Sequence, residues 1–350
     1  MSYPEWDEIR NSFWLRSRSF PQLDAETPSF MRLPLVSKPE QLAGADAVII
    51  GAPYVAGWGE YAGVGKDAWL AAAQRVRQQS ARYSSGYIQD LDIDVFENLT
   101  VVDYGDADIP PEANEAPTAE NILKAQAAVV DKVSHCLDVG AVPIVIGQNS
   151  PCGSYAIAKP IAERSSGKVG CISLDTHWDA HDIDRLTMDP RIAGSGSWKH
   201  KMYEFHDNMD PKNLVEIGER GMLESKDMVR SWIKAGTHFI PMWKVRSELG
   251  IDGLVQELGH AYRETDDVYV HFDMDVLGGA GPTGGDILGE LAEPIGMTDY
   301  EVIRIANEIG KRGLTGFSFI CIPPGSAVIY RTIVYVIMYL LAGLALRKEL

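Results

Sequence analysis

The sequence predicts an α/β protein, with a mainly parallel sheet covered on both faces by helices. Two observations carry this. Short apolar runs bounded by glycine or proline recur along the chain, and between them lie longer segments with apolar residues at helical spacing. The residues capable of chemistry then fall at the ends of apolar runs, where parallel sheets of this class carry their sites.

Taken in order, residues 1–45 are polar, contain several prolines and lack periodicity. They are expected to form an N-terminal arm with one short helix, suited to an oligomer contact. Residues 46–350 are expected to form a single domain, since no internal repeat, linker or low-complexity tract divides them. Residues 46–53, DAVIIGAP, read as a first buried strand ending in a glycine turn. The glycine-rich stretch 57–65 lacks the GxxxxGK[ST] pattern, because Lys66 is followed by Asp67, so no phosphate cradle is expected. Residues 68–83 are helical, with Trp69, Ala72, Ala73 and Val76 on one side and Arg75, Arg77, Gln78 and Arg82 on the other. A second strand spans 99–107, and a loop with three prolines covers 109–117. A long amphipathic helix at 120–137 stops at Gly140. Residues 141–147, AVPIVIG, are a third strand.

After one more helix comes the strand 169–174. A polar loop at 183–197, a helix around 198–206 and the strand-like segments LVEIG and FIPMW follow. A second acid-ending strand leads into a glycine-rich loop at 277–289. A helix at 298–310, the strand GFSFICI and a terminal helix complete the chain. The apolar stretch 332–346 has 15 residues between Arg331 and Arg347. That is short of the ~18–20 needed to cross a bilayer, so a buried helix is expected.

The chemistry centres on KVGCISLDTHWDAHD, residues 168–182. Its apolar run ends in Asp175, His177 and Asp179 at alternating positions. Hard carboxylate oxygens around a borderline imidazole suit a divalent transition metal better than magnesium or calcium. Alone the pattern also describes the polar residues that follow strands in any α/β protein. A second cluster strengthens it. Val268, Val270 and Phe272 alternate along another strand that ends in Asp273 and Asp275, and carboxylates at strand ends are costly to desolvate unless paired or metal-bound. Four carboxylates and a histidine at one sheet edge match a dimetal centre, where carboxylates bridge ions about 3.5–4 Å apart.

Composition narrows the partners. With 45% hydrophobic residues in 350, the chain can bury a sizeable core. A net charge of −17 argues against nucleic acid and anionic membranes and favours a small cationic molecule. Four widely spaced cysteines without a CxxC pair are expected to be reduced thiols in a cytoplasmic protein. The acidic N-terminus has no apolar secretory core.

With these motifs in order, the chain resembles the ureohydrolases: arginase, agmatinase, guanidinobutyrase and the related guanidine and biguanide hydrolases. The resemblance spans roughly residues 45 to 345. It rests on GAP at 51–53, the RVRQQSARY helix end, DYGD at 103–106, PIVIG at 143–147, DTHWD at 175–179, DMD at 273–275 and GMTDYE at 296–301. It implies a three-layer α/β/α fold, homo- or hetero-oligomers, and a manganese or nickel pair (Mn2+ or Ni2+) that activates water for attack on a guanidinium carbon. A guanidinium is a poor electrophile, so lowering the pKa of water is the physical requirement.

Carried over by that resemblance, Asp175 and Asp273 are expected to bridge the ions, Asp175 also serving the catalytic step. His177 and Asp275 would hold one ion, and Asp179 the other. His200 is the expected proton shuttle, its other reading being a surface histidine at a helix start. Glu301 is the expected guanidinium-binding carboxylate, its other reading being a solvated acid near the helix dipole.

The sequence also departs from the pattern. Where the family's GGDHS element supplies a histidine ligand, the strand end reads Gly147-Gln148-Asn149-Ser150, so Ser150 stands at a degenerate ligand position. The acid that follows DxD by three residues is replaced by Gly278, and the substrate loop is rewritten. Trp178 stands as a bulky aromatic between two ligands. The expectation is a subunit of a hydrolase that cleaves a C–N bond in a guanidino or biguanide compound. This chain would be the metal-poor supporting member beside an intact paralogue, as in a metformin-type hydrolase. The alternatives are an independently active agmatinase-like enzyme with a remodelled or mononuclear site, and a non-catalytic amidine-binding protein.

Overall fold

The computed structural model of the chain describes residues 6–11, 19–57, 65–83, 85–278, 293–325 and 327–348. Among the described residues, ten strands run in chain order: β1 Ala47–Gly51, β2 Tyr87–Ile88, β3 Ile93–Asp94, β4 Val101–Asp106, β5 Val142–Ile146, β6 Val169–Leu174, β7 Met209–Ile217, β8 His238–Ile240, β9 Asp267–Asp273 and β10 Gly316–Ile320. β2 and β3 form a small antiparallel ribbon. The other eight form one sheet, ordered β4-β1-β5-β10-β9-β6-β7-β8, in which every pairing is parallel.

Buried on both faces, β1, β5 and β6 are nearly continuous apolar runs rather than alternating ones. In β1, Ala47 and Ile49 enter one core while Val48 and Ile50 enter the other. The first core is roofed by helices Ala72–Ser80, Gly250–Glu257, Asp299–Arg312 and Ala327–Lys348. The second is roofed by Ala119–Asp138, Ala156–Arg164 and Trp198–Phe205. This is the three-layer α/β/α architecture expected.

Three expectations are refined: the buried terminal helix is borne out, though not by its length, and two others change in detail. The terminal helix runs 22 residues, Ala327–Lys348, long and apolar enough by composition to cross a membrane, but 67% of its apolar window is buried inside the protein. It crosses Asp299–Arg312 closely: a Cβ on Gly310 would lie 2.1 Å from the Leu340 carbonyl oxygen, and one on Gly343 2.3 Å from that of Asn307. Second, part of the arm belongs to the core, since Phe30, Met31 and Leu33 are buried and Leu35 bridges to Asp103. Third, Arg77 and Gln78 face inward. The Arg77 guanidinium reaches both oxygens of Asp103 (Nε–Oδ2 2.9 Å, Nη2–Oδ1 3.0 Å) and pairs with Asp106, joining the helix Ala72–Ser80 to the end of β4. Most of 57–65 and of 277–289 lies outside the described residues.

Candidate metal centre

Parallel register places the two acid-bearing strand ends side by side. β6 and β9 pair from Val169↔Asp267 through Leu174↔Phe272, so Asp175 comes next to Asp273. Beyond the strands, turns and not continued pleat set the side chains. Asp175 Oδ1 accepts from the His177 amide at 2.7 Å, and Asp273 Oδ1 from the Asp275 amide at 2.8 Å. Asp179 has left-handed backbone, with φ 48°. The alternating positions of Asp175, His177 and Asp179 therefore do not reflect a continued strand, because β6 ends at Leu174.

The cluster is buried: Asp175, Asp273 and Asp275 are 0%, 3% and 2% exposed, which leaves their charges dependent on protein groups or a bound cation. His177 Nδ1 lies 3.0 Å from Asp275 Oδ2 and 3.9 Å from Asp175 Oδ1. Asp275 is further tied to β6, its Oδ1 accepting from the Thr176 amide at 3.1 Å and its carbonyl from the Thr176 hydroxyl at 2.8 Å. Arg220 fastens the same turn by donating to the carbonyls of Asp275, Leu277 and Glu293.

Electrostatics expose a shortage of positive charge. Burial, then the neighbouring carboxylates, push Asp179 and Asp273 well above the ordinary carboxyl range, and Asp275 upward. Burial opposes charge on His177, but its hydrogen bond to Asp275 and the charges of Asp275, Asp175 and Asp179 prevail and push it up to about 10. Convergent like charges with imidazole among them are the donor set of a divalent-ion site. One ligand atom each from Asp175, His177 and Asp275 lie within 4.8 Å of one another, and so do those of Asp175, His271 and Asp273. The residues fit the implied metal.

His271 was not foreseen. It sits on the opposite pleat from Val270 and Phe272, so the apolar alternation of β9 concealed it; the signal was a lone polar residue inside a buried strand. Its Nε2 is 3.4 Å from Asp175 Oδ2 and its Nδ1 3.2 Å from Ser154 Oγ. Lys199 was missed as well. Fully buried, it donates to Glu216 at 2.7 Å, and its amide binds the Asp179 carbonyl.

The other expected site residues scatter. Ser150 stands at the cluster, its hydroxyl 3.2 Å from Asp179 Oδ2, where the strand β5 turns into the helical segment Pro151–Tyr155. His200 does not join it: the ring faces Trp232 at 6.5 Å and approaches Glu204, lining a surface pocket with Tyr203 and Pro211. Glu301 caps its own helix, accepting from the amide and hydroxyl of Thr298, and forms a two-pronged pair with Arg246. Burial opposes its charge, but the Thr298 hydrogen bonds and Arg246 hold its carboxyl below the ordinary value. Trp178 turns away from the ligands and packs on Phe239 and Trp232. Gly278 has a steric reason, since a Cβ there would lie 2.5 Å from the Gly296 amide nitrogen.

Comparison with known proteins gives the family and the fold. The arginase family matches residues 45–338. Guanidinobutyrase of Pseudomonas aeruginosa is 26% identical over 195 residues, 55% of this chain and 54% of that protein, so the match spans about half of that relative. Among solved structures, proclavaminate amidino hydrolase of Streptomyces clavuligerus superposes with a TM-score of 0.73 at 24% identity, covering 91% of this chain and 98% of that one. Trypanosoma cruzi formiminoglutamase with Mn2+ gives 0.71 at 22% identity, covering 92% and 99%. These structural likenesses are of fold. The family match, over most of the chain, decides the assignment: this protein belongs to the arginase family.

Proposed function

We propose that the chain is a divalent-metal hydrolase that cleaves a C–N bond of a small cationic guanidino compound and releases urea or a substituted urea. The observation that carries this is the convergence of Asp175, His177 and Asp275 donor atoms within 4.8 Å in a buried, negatively charged cluster. Asp175 and Asp273, neighbours where β6 and β9 end, would be the carboxylates shared by an ion pair. His177 and Asp275 would complete one ligand set, and Asp179 meets the Ser150 hydroxyl. A bound manganese or nickel pair would supply activated water and neutralise the carboxylates. The chain's own part is to hold those carboxylates rigidly, through the Thr176 and Arg220 contacts, and to attract a cation through its net charge of −17.

A second reading is favoured by one observation. Ser150 spends its hydroxyl on Asp179, so the histidine expected there is absent, and the chain would then be the metal-poor supporting subunit of a hetero-oligomer with an intact paralogue. A biguanide substrate belongs to that reading. Metal per chain by elemental analysis, together with urea release from a guanidine and biguanide panel, separates the two. One or two ions with urea release supports the enzyme. No ion and no turnover, rescued by an added paralogue, supports the subunit.

A further inference from the structure

The second ligand set at the cluster contains a histidine from an unexpected strand. We propose that His271 supplies the imidazole that position 150 lacks, so that this chain holds a second divalent ion through Asp175, Asp273 and His271. The proposal rests on the metal-hydrolase reading above and concerns how its second site is built.

The geometry is that of two ligands sharing an ion. His271 Nε2 and Asp175 Oδ2 stand 3.4 Å apart, long for a hydrogen bond between these groups. Two donors about 2.1 Å from one metal at tetrahedral angles lie roughly 3.4 Å apart. Asp273 offers the third donor within the same 4.8 Å span. The other ring nitrogen faces Ser154 Oγ at 3.2 Å. A metal-bound histidine commonly anchors its second nitrogen in this way, which fixes the ring and leaves Nε2 facing the ion.

The sheet makes room for the ring. His271 is registered against Ser173 of β6 and Ser318 of β10, small neighbours on both sides, while Asp273 lies two residues on in β9 and Asp175 directly follows the last residue of β6. Trp198, with its centroid 4.7 Å from the imidazole, closes the remaining side. Ser154 and Ser150 belong to the same helical segment, one turn apart, so the imidazole anchored on Ser154 approaches the cluster from the side that position 150 serves. One imidazole is missing from the helix and one is present on the strand beneath it. The fully buried Lys199 does not replace it, because its ammonium is paired with Glu216.

The alternative is a buried histidine that merely orients Asp175, and metal content separates the two. The full chain, stripped with chelator and reloaded with Mn2+, would be measured by elemental analysis and calorimetry as wild type, His271→Asn, Ser150→His and the double variant. The proposal expects two ions per chain in the wild type. His271→Asn should keep one ion and weaken the second by roughly a hundredfold or more. Adding Ser150→His to that variant should restore two, a rescue that an orienting role does not produce. Retention of both ions by His271→Asn, or a wild type that binds one ion unaffected by the substitution, overturns it. Should His271→Asn fail to fold, pulsed electron paramagnetic resonance of the Mn2+-loaded wild type decides: nitrogen couplings from two imidazoles support the proposal, and one coupling overturns it. A wild type that binds no ion removes the metal-hydrolase reading itself.

Discussion

Two groups of aspartates, each with a fully buried member, lie in or just after strands of the same sheet, and their solutions to the same problem differ. At the end of β4, Asp103 and Asp106 are met by Arg77, a guanidinium with no exposed surface, which the two carboxylates and their hydrogen bonds drive above its usual value despite the cost of burial. At the ends of β6 and β9, Asp175, Asp179, Asp273 and Asp275 share His177 and the more distant charge of Lys199. The first group is neutralised from within the chain. The second is short of positive charge by design of its neighbours, and that shortage distinguishes a site from a structural lock. Residue type alone does not.

Removing one aspartate from the second group should have the largest effect. Asp273→Ala is expected to abolish bound metal and any urea release, and metal content after gel filtration checks it; unchanged metal would make the cluster as structural as the first. In the lock the damage should appear as stability. Arg77→Met strands two carboxylates, one of them fully buried, and should cost about 3–5 kcal/mol in denaturant unfolding.

The pH responses should also diverge. In the metal-free chain His177 is pushed up to about 10, above its unfolded value, so its contribution is complete below about 6.5 and fades as pH rises towards 10. The raised carboxyls of Asp179, Asp273 and Asp275 act in the same direction. Melting temperature without metal should therefore fall from pH 6.5 to 10, and less steeply in His177→Asn. With metal bound, protons compete for the ligands and the trend should reverse. The smallest effect is expected at His200, whose ring faces Trp232 and Glu204: His200→Ala should leave kcat within about twofold, whereas the loss of about 10²-fold or more typical of a proton carrier would return it to the site.

Much of this was visible in the sequence for a physical reason. Doubly buried strands announce themselves as apolar runs, and acids after them stand out because burying charge is costly. Asp175, His177, Asp273 and Asp275 were found that way. What escaped depends on contacts between distant segments. Arg77 looked like part of a polar helix face until Asp103, 26 residues on, came beneath it. His271 was hidden by the alternation of its apolar neighbours. The expectation for His200 rests on a resemblance at a helix start, and a shared position does not say which way a side chain faces. Gly278 looked like a lost acid, but the backbone of Gly296 leaves no room for one.

The pairing of Arg246 with Glu301 has its own consequence. The carboxylate expected to receive a substrate's guanidinium already holds one, tethered on the same chain, with a second prong on the Gly296 carbonyl at 2.7 Å. The Arg246 side chain is 41% exposed and so has solvent to swing into. Were Glu301 to receive a substrate's guanidinium, that group would compete with an internal occupant, and its apparent affinity would be its intrinsic affinity scaled by the fraction of time the arginine is away. A weak Michaelis constant would then be a property of that tether as much as of the substrate.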